Sequence, residues 1–356
     1  MPEETTSVQE PAAPATTTAA SPAITGEPDA TWGTAARLWL VVLCFVAVGV
    51  ARSAQVGVPF RDPHGAILLS RVALTAAVAT GLVLLDGLVR AGRPVAVRRV
   101  LGVVRERWTP RRTALATAAL LAYHLTYFTY HNLKSWNAFN RPRDPMLLAW
   151  DRWLFLGHSP AVLLHDLLGQ QVAARVLMVW YETFPTLVVV AFPAAVVLAP
   201  RMRDAYAGIA ALVWVWILGT ASYYAIPSLG PFHAAPQDFA GLPHLMIQDT
   251  QARYLAQRAH LLADPSASGA FAQVAAFASL HVAMTAGILG IAWWHRLRRT
   301  TALLTVFLGG TMLATVYLGW HFAVDDVAGL VIAAAAWWLG PHTVGARRRP
   351  ARPSAS

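Results

Sequence analysis

Apolar runs long enough to cross a lipid bilayer recur along this chain, separated by polar or basic stretches. A membrane-spanning helix needs about 20 mainly apolar residues, because each residue rises about 1.5 Å and the hydrocarbon layer is about 30 Å thick. The candidate runs lie near residues 36–57, 67–89, 113–133, 172–199, 205–226, 280–295, 302–320 and 326–341. The pattern predicts an all-α fold, a polytopic membrane helix bundle of about eight transmembrane helices.

Composition agrees with a protein whose surface faces lipid over much of its area. The 356 residues are 56% hydrophobic and only 13% charged, whereas an ordinary soluble domain has roughly 25% charged residues. The formal net charge is +10, which in a soluble protein would suggest a nucleic-acid partner. Here most of the arginines cluster between apolar runs, where they orient the spans instead. No nucleic-acid partner is therefore expected, and the sequence makes no prediction about protein partners.

Four basic clusters predict one orientation for the whole chain. They are Arg90, Arg93, Arg98, Arg99, Arg105, Arg107, Arg111 and Arg112; Arg201 and Arg203; Arg296, Arg298 and Arg299; and Arg347, Arg348 and Arg349. Because short basic loops remain in the cytoplasm, both termini are predicted to be cytoplasmic and segments 134–171 and 227–279 to lie outside. The predicted localisation is an integral, multi-pass protein of the plasma (inner) membrane.

The chain divides into three predicted regions. Residues 1–34 are rich in Pro, Ala and Thr and carry few groups that could form a core, which predicts a disordered cytoplasmic tail. Residues 35–342 form the membrane domain, and residues 343–356 a basic cytoplasmic tail. Cys44 is the only cysteine, so neither an intramolecular disulfide nor a cysteine-based metal site is possible.

Two of the predicted outer segments contain helical patterns of their own. In 246–262 the apolar residues recur at helical spacing, and 147–169 is similar, with tryptophans suited to a membrane interface. Such helices could lie flat on the outer leaflet or pack on the spans.

Two short polar segments lie at the predicted outer ends of neighbouring spans. The first is Ser279-Leu280-His281, in which Ser279 is a candidate N-cap or a phosphate contact. The second contains His321 and Asp325, four residues apart, which on a helix would share a face. A neutral imidazole is a competent nucleophile, a carboxylate can orient it, and a second imidazole can protonate a leaving oxygen. This chemistry requires no metal and no cofactor.

These segments resemble the second and third motifs of the type 2 phosphatidic acid phosphatase superfamily. The resemblance is greatest to the inositolphosphotransferase branch of the superfamily, which contains fungal inositol phosphorylceramide synthase. It is carried by Ser279-Leu280-His281 and Ala314-Thr315-x-Tyr317-Leu318, and the chain resembles a bacterial member. The resemblance implies that His321 is the nucleophile, Asp325 its partner and His281 the leaving-group acid. It covers residues 134–330, the predicted catalytic core, and includes the stretches 151–155 and 227–231.

The first motif of the superfamily is a lysine, six residues and then Arg-Pro, and Lys134 to Arg141-Pro142 has that spacing. The resemblance implies that Lys134 and Arg141 bind phosphate oxygens, with the guanidinium acting as a fork; the alternative is an ordinary cationic flank of a span. The chain departs from the family at Thr315, where the third motif has an arginine, and at Ala278 and Leu280.

The sequence therefore predicts a membrane enzyme that transfers a phosphoryl or phospho-headgroup from a lipid phosphate or phospholipid, either to water or to an alcohol. One rival is a non-catalytic lipid-binding or transport protein on the same scaffold. Another is a haem protein that uses His124 and His131, which share a helix face; packing or a pore-facing role is the alternative for this pair. Glu182 is either a cavity acid or structural, and Asp326 is interpreted as a cap.

Overall fold

The computed structural model describes residues 29–93 and 95–346, and within them the protein is all α-helical, without a β-strand. The helices are α1 Trp32–Val56, α2 Leu69–Ala91, α3 Val97–Arg107, α4 Pro110–Trp136, α5 Asp144–Leu154, α6 Pro160–Leu168, α7 Val172–Glu182, α8 Phe184–Val197, α9 Met202–Ala225, α10 Pro231–Ala234, α11 Met246–Ala263, α12 Leu280–Trp294, α13 Arg298–Tyr317 and α14 Ala323–Val344.

Six helical segments among the described residues are long and apolar enough to cross a membrane. They are Trp32–Val56, Pro63–Ala91, Val172–Val197, Met202–Ala225, Arg298–Tyr317 and Ala323–Val344. The prediction of an all-α, multi-pass membrane protein is confirmed. The other two predicted spans are also helices: α4 has 27 residues but many polar side chains, and α12 is apolar but only 15 residues long.

Helix α9 forms the centre of the bundle and packs against α14, α4, α12, α8 and α1. Tyr206, Ile209 and Leu212 of α9 are completely buried. Helix α14 approaches α9 most closely at Gly340, where a Cβ atom would lie 2.4 Å from the backbone nitrogen of Ala211. Only glycine allows that approach, because any larger residue would collide with backbone that cannot move aside.

The basic clusters in the described part of the chain lie at one end of the bundle. Arg107 and Arg112, at the α3–α4 connection, donate to the Ala199 carbonyl oxygen at 3.0 and 2.6 Å. Trp294, at the C-terminus of α12, donates to Asp204 near the start of α9 at 3.1 Å. The packing thus agrees with the prediction that these arginine clusters lie on the same side of the membrane. That this side is the cytoplasmic one stays a prediction.

The boundaries differ from the predicted ones in two places. Helix α1 begins at Trp32, inside the predicted tail 1–34, because Thr31 caps it by accepting a hydrogen bond from the Thr34 amide. Segment 147–169 is interrupted between α5 and α6, whereas 246–262 is helical as α11. Residues 1–28 of one predicted tail and 347–356 of the other lie outside the described residues.

The orientation of the bundle leads to a labelling prediction. In a Cys44→Ala background, a cysteine at Ser266 between α11 and α12 should react with an impermeant thiol reagent in intact cells. A cysteine at Thr300, near the start of α13 at the basic end, should react only after the membrane is opened. Labelling of Thr300→Cys in intact cells, with Ser266→Cys protected, would reverse the predicted topology.

Candidate active site

The starts of α12 and α14 meet at the end of the bundle opposite the basic clusters. The backbone N–H of Ser279 donates to the Asp325 carbonyl oxygen at 3.0 Å. A Cβ atom at Gly329 would lie 2.5 Å from the Ser279 carbonyl oxygen, so glycine permits this contact. As a result the rings of His281 and His321 come together, with their centroids 5.8 Å apart.

His321 and Asp325 form the predicted pair, but not through a shared helix face. His321 lies in the turn before α14, and Phe322 is the N-cap residue of that helix. The Asp325 carboxylate folds back over the helix start: its Oδ2 accepts from the Phe322 N–H at 3.0 Å and lies 3.4 Å from His321 Nδ1. Nε2 is therefore the ring nitrogen of His321 on the side away from this carboxylate.

The environment of His321 favours the uncharged imidazole. Burial lowers the pKa of His321 to about 4, and the carboxylate of Asp326 acts in the opposite direction. The ring is thus neutral near pH 7, with a lone pair available for attack.

Asp326 is not the simple cap that the sequence suggested. Its side chain is buried, and Thr315 Oγ1 donates to Asp326 Oδ2 at 3.0 Å. Thr315, where the third motif of the family has an arginine, is itself completely buried in α13. A guanidinium at this position would have to displace the hydrogen bond between Thr315 and Asp326. The two residues therefore form a buried hydrogen-bonded pair near His321.

A cavity of about 410 Å³ opens in front of the two histidines. His281, His321 and Lys134 line it, together with Arg71 of α2, Glu182 of α7 and further side chains, so that seven helices contribute to the wall. His281 lies between aromatic rings, with its centroid 4.5 Å from that of Tyr181 and 4.4 Å from that of Phe184. The cavity is large enough for a small polar headgroup beside the histidines.

The predicted phosphate-binding residues separate in the structure. The ammonium of Lys134 lines the cavity and lies 6.0 and 5.8 Å from the ring centroids of Tyr130 and Tyr223. Arg141 is exposed and does not line the cavity. Ser279 occupies the N-cap position of α12 as expected, but its side chain is buried and makes no capping hydrogen bond.

Helix α5 holds the backbone around His321 through two buried carboxylates, Asp144 and Asp151, to which the sequence assigned no role. Asp151 accepts from the N–H groups of Ala323 and Val324 at 2.9 and 3.0 Å, the first two residues of α14. Burial raises the pKa of Asp151, and these two hydrogen bonds act against that rise. The negative charge at the positive end of the helix dipole stabilises the start of α14.

Asp144, seven residues earlier and on the same face of α5, acts on the neighbouring loop. Its carboxylate accepts from the N–H groups of Leu229 and Gly230 at 2.8 and 2.9 Å. Gly230 has φ +111 and packs so closely that a Cβ atom would lie 2.8 Å from the Trp320 carbonyl oxygen. In the sequence, the seven-residue spacing of Asp144 and Asp151 could have indicated that the two aspartates act together, because it places both on one helix face.

His124 and His131 of α4 also line the cavity. His124 Nε2 lies 2.9 Å from Thr75 Oγ1, which gives this buried ring a partner on α2. Among residues 29–93 and 95–346, no three His, Cys, Asp or Glu side chains are grouped closely enough to hold a metal ion.

Comparison with known proteins identifies the family. A model described as the PAP2 superfamily matches residues 145–339, more than half of the chain. The chain therefore belongs to the PAP2 superfamily, and that membership supports a phosphatase-type enzyme. The matched range contains His281, His321 and Asp325 but begins after Lys134 and Arg141. The predicted inositolphosphotransferase branch stays a prediction. No curated protein and no solved structure matches the chain.

The contacts of Asp151 generate a prediction. Asp151→Ala should destabilise the protein, because the first two amides of α14 lose a charged acceptor, each such bond contributing about 1.5–3 kcal/mol. Turnover should fall as well, since His321 precedes those amides. Asp166→Ala, which removes an exposed aspartate of α6, is the matched control. Thermal unfolding in detergent and activity measure both effects; equal behaviour of the two variants would contradict the role of Asp151.

Proposed function

We propose that this protein transfers a phosphoryl or phospho-headgroup from a membrane lipid phosphate through a phosphohistidine intermediate on His321. The observation that carries the proposal is that His281 and His321 line one cavity with Lys134, while the Asp325 carboxylate lies behind His321. A nucleophile, its orienting carboxylate, an acid and a cation are the parts that such a transfer needs.

The proposed reaction has two steps. In the first, Nε2 of His321 attacks phosphorus, the bond to the lipid oxygen breaks, and His281, which enters this step as the imidazolium beside the bound phosphate anion, donates its proton to the leaving oxygen. In the second, His281 takes a proton from water or an alcohol, whose oxygen attacks phosphorus and releases His321. Asp325 keeps Nδ1 of His321 oriented and stabilises the positive charge that the ring acquires. Lys134 offsets the negative charge of the phosphate oxygens.

The acceptor decides between the two forms of the proposal. Attack by water makes the protein a phosphatase, and attack by an alcohol makes it a transferase of the inositolphosphotransferase type, for which the resemblance of Ser279-Leu280-His281 is the support. Incubation of purified protein with a panel of lipid phosphates and alcohols, followed by product identification, separates them. In either form we propose that the cavity opens to the outer face of the plasma membrane. The absence of any product with all donors would favour a lipid-binding or transport protein.

Trapping of the intermediate tests the roles of the two histidines. With a ³²P-labelled aryl phosphate, whose leaving group needs little protonation, His281→Ala should accumulate label on the protein that survives base and is lost in acid. His321→Ala should never be labelled, and Asp325→Asn should react slowly, as comparable loss of orientation costs about 10⁴-fold in a serine protease.

The control for this experiment is His158→Ala, which removes an exposed histidine outside the cavity and should react like the unaltered protein. Label on His321→Ala but not on His281→Ala would mean that the two roles are exchanged. Label on neither would favour direct attack by water or alcohol.

The separation of Lys134 from Arg141 leads to a second kinetic prediction. Lys134→Met should lower kcat/KM by about 10- to 100-fold, the loss expected for a charged hydrogen bond to phosphate. Arg141→Met should lower it by no more than a few-fold, because the guanidinium is exposed and does not line the cavity. A loss at Arg141 as large as that at Lys134 would restore the phosphate-binding motif inferred from their spacing.

A further inference from the structure

Arg71 is a further cation that lines the cavity besides Lys134. Arg71 lies in the first turn of α2 and is half-buried. Among the described residues its side chain forms neither a hydrogen bond nor an ion pair, and the same is true of Lys134 apart from its contacts with aromatic rings. Both cations therefore face the cavity without a counter-ion in contact.

The register of α2 and α4 shows which side of the cavity Arg71 occupies. Thr75 of α2 contacts His124 of α4, with 2.9 Å between Oγ1 and Nε2. Arg71 is one turn before Thr75 on the same face, and Tyr127 and His131 follow His124 on α4 in the same direction. Arg71 thus lies on the part of the wall formed by Tyr127 and His131, whose ring centroids are 4.4 Å apart.

Two half-buried positive charges in one cavity are costly without an anion, because each is partly removed from water and they repel each other. Glu182 and Arg253 also line the cavity, and these two attract each other. Glu182 is the single carboxylate among the described residues that line the cavity, against the three cations Arg71, Lys134 and Arg253, so the cavity has a net positive charge.

We propose that Arg71, with Tyr127 and His131, forms a second anion subsite, so that the ligand carries a phosphate-type group besides the phosphoryl group that is transferred. The proposal rests on the proposed function, in which Lys134 holds the transferred group. Arg71 precedes the range 145–339 that matches the family, so the family match does not assign this subsite. The second anion belongs either to the donor, as in a lipid diphosphate, or to a phosphorylated acceptor alcohol.

Binding of non-hydrolysable anions tests the subsite independently of catalysis. Purified full-length protein in detergent is titrated calorimetrically with methylphosphonate and with alkylene bisphosphonates that have one to four methylene groups. At least one bisphosphonate should bind about tenfold or more tightly than methylphosphonate, as expected for one additional charged contact. In Arg71→Met that advantage should fall to about twofold or less. The absence of any advantage, or its persistence in Arg71→Met, would overturn the proposal.

Two further variants separate the subsite from a folding defect. Arg71→Lys, which retains the charge, should keep part of the advantage, and Arg152→Met, which removes an exposed arginine of α5, should keep all of it. Thermal unfolding of each variant in detergent shows whether it is folded. Because binding is also measurable in His321→Ala, failure of the proposed reaction and failure of the subsite give different results.

Kinetics identify the source of the second anion. If the donor carries it, Arg71→Met should raise KM for a lipid diphosphate about tenfold or more and leave KM for the matching monophosphate unchanged. If the acceptor carries it, transfer to a phosphorylated alcohol should fall while hydrolysis of the donor is unchanged. An equal loss with the lipid monophosphate and diphosphate would show that Arg71 holds the transferred group itself, which would overturn a separate subsite.

Discussion

Asp151 accepts hydrogen bonds from the first two amides of α14, and the geometry around His321 depends on this contact. His321 lies just before those amides and Asp325 just after them, so an error in the helix start would displace both. The backbone bond from Ser279 to the Asp325 carbonyl oxygen then joins α12 to the same point. One buried carboxylate on the short helix α5 thereby positions residues from two distant parts of the sequence.

The distribution of charge follows from the membrane environment. At one end of the bundle, arginines such as Arg112 bind backbone carbonyls at helix ends. At the other end, the uncharged His321 faces a cavity in which Lys134 and Arg71 form no ion pair with any of residues 29–93 and 95–346. In such a low-dielectric setting electrostatic interactions are strong, so an anionic headgroup would be attracted to the cavity while its lipid chains remain in the bilayer.

Local sequence patterns predicted the features that local physics controls. The apolar runs became helices, including α4 and α12, because a backbone in lipid must satisfy its hydrogen bonds within the helix. The pairing of His321 with Asp325 was also predicted, on the ground that residues four apart share a face of a helix. The reason given for it was wrong, because α14 starts only after His321 and the carboxylate folds back to its own helix start. Arg141 shows the converse: spacing from Lys134 matched a motif, but the chain after α4 turns it to the surface.

The sequence by itself determined the class of fold, the spans and the short segments that contain the candidate catalytic histidines, because these depend on hydropathy and on neighbours along the chain. Only the tertiary structure decided which distant groups share a cavity: Arg71 with Lys134, and Asp151 with the start of α14. It also decided that Thr315 pairs with Asp326 inside the bundle. The physical reason is that helix register and packing, at close contacts such as Gly329 and Gly340, set these distances, and no pattern along a single segment encodes them.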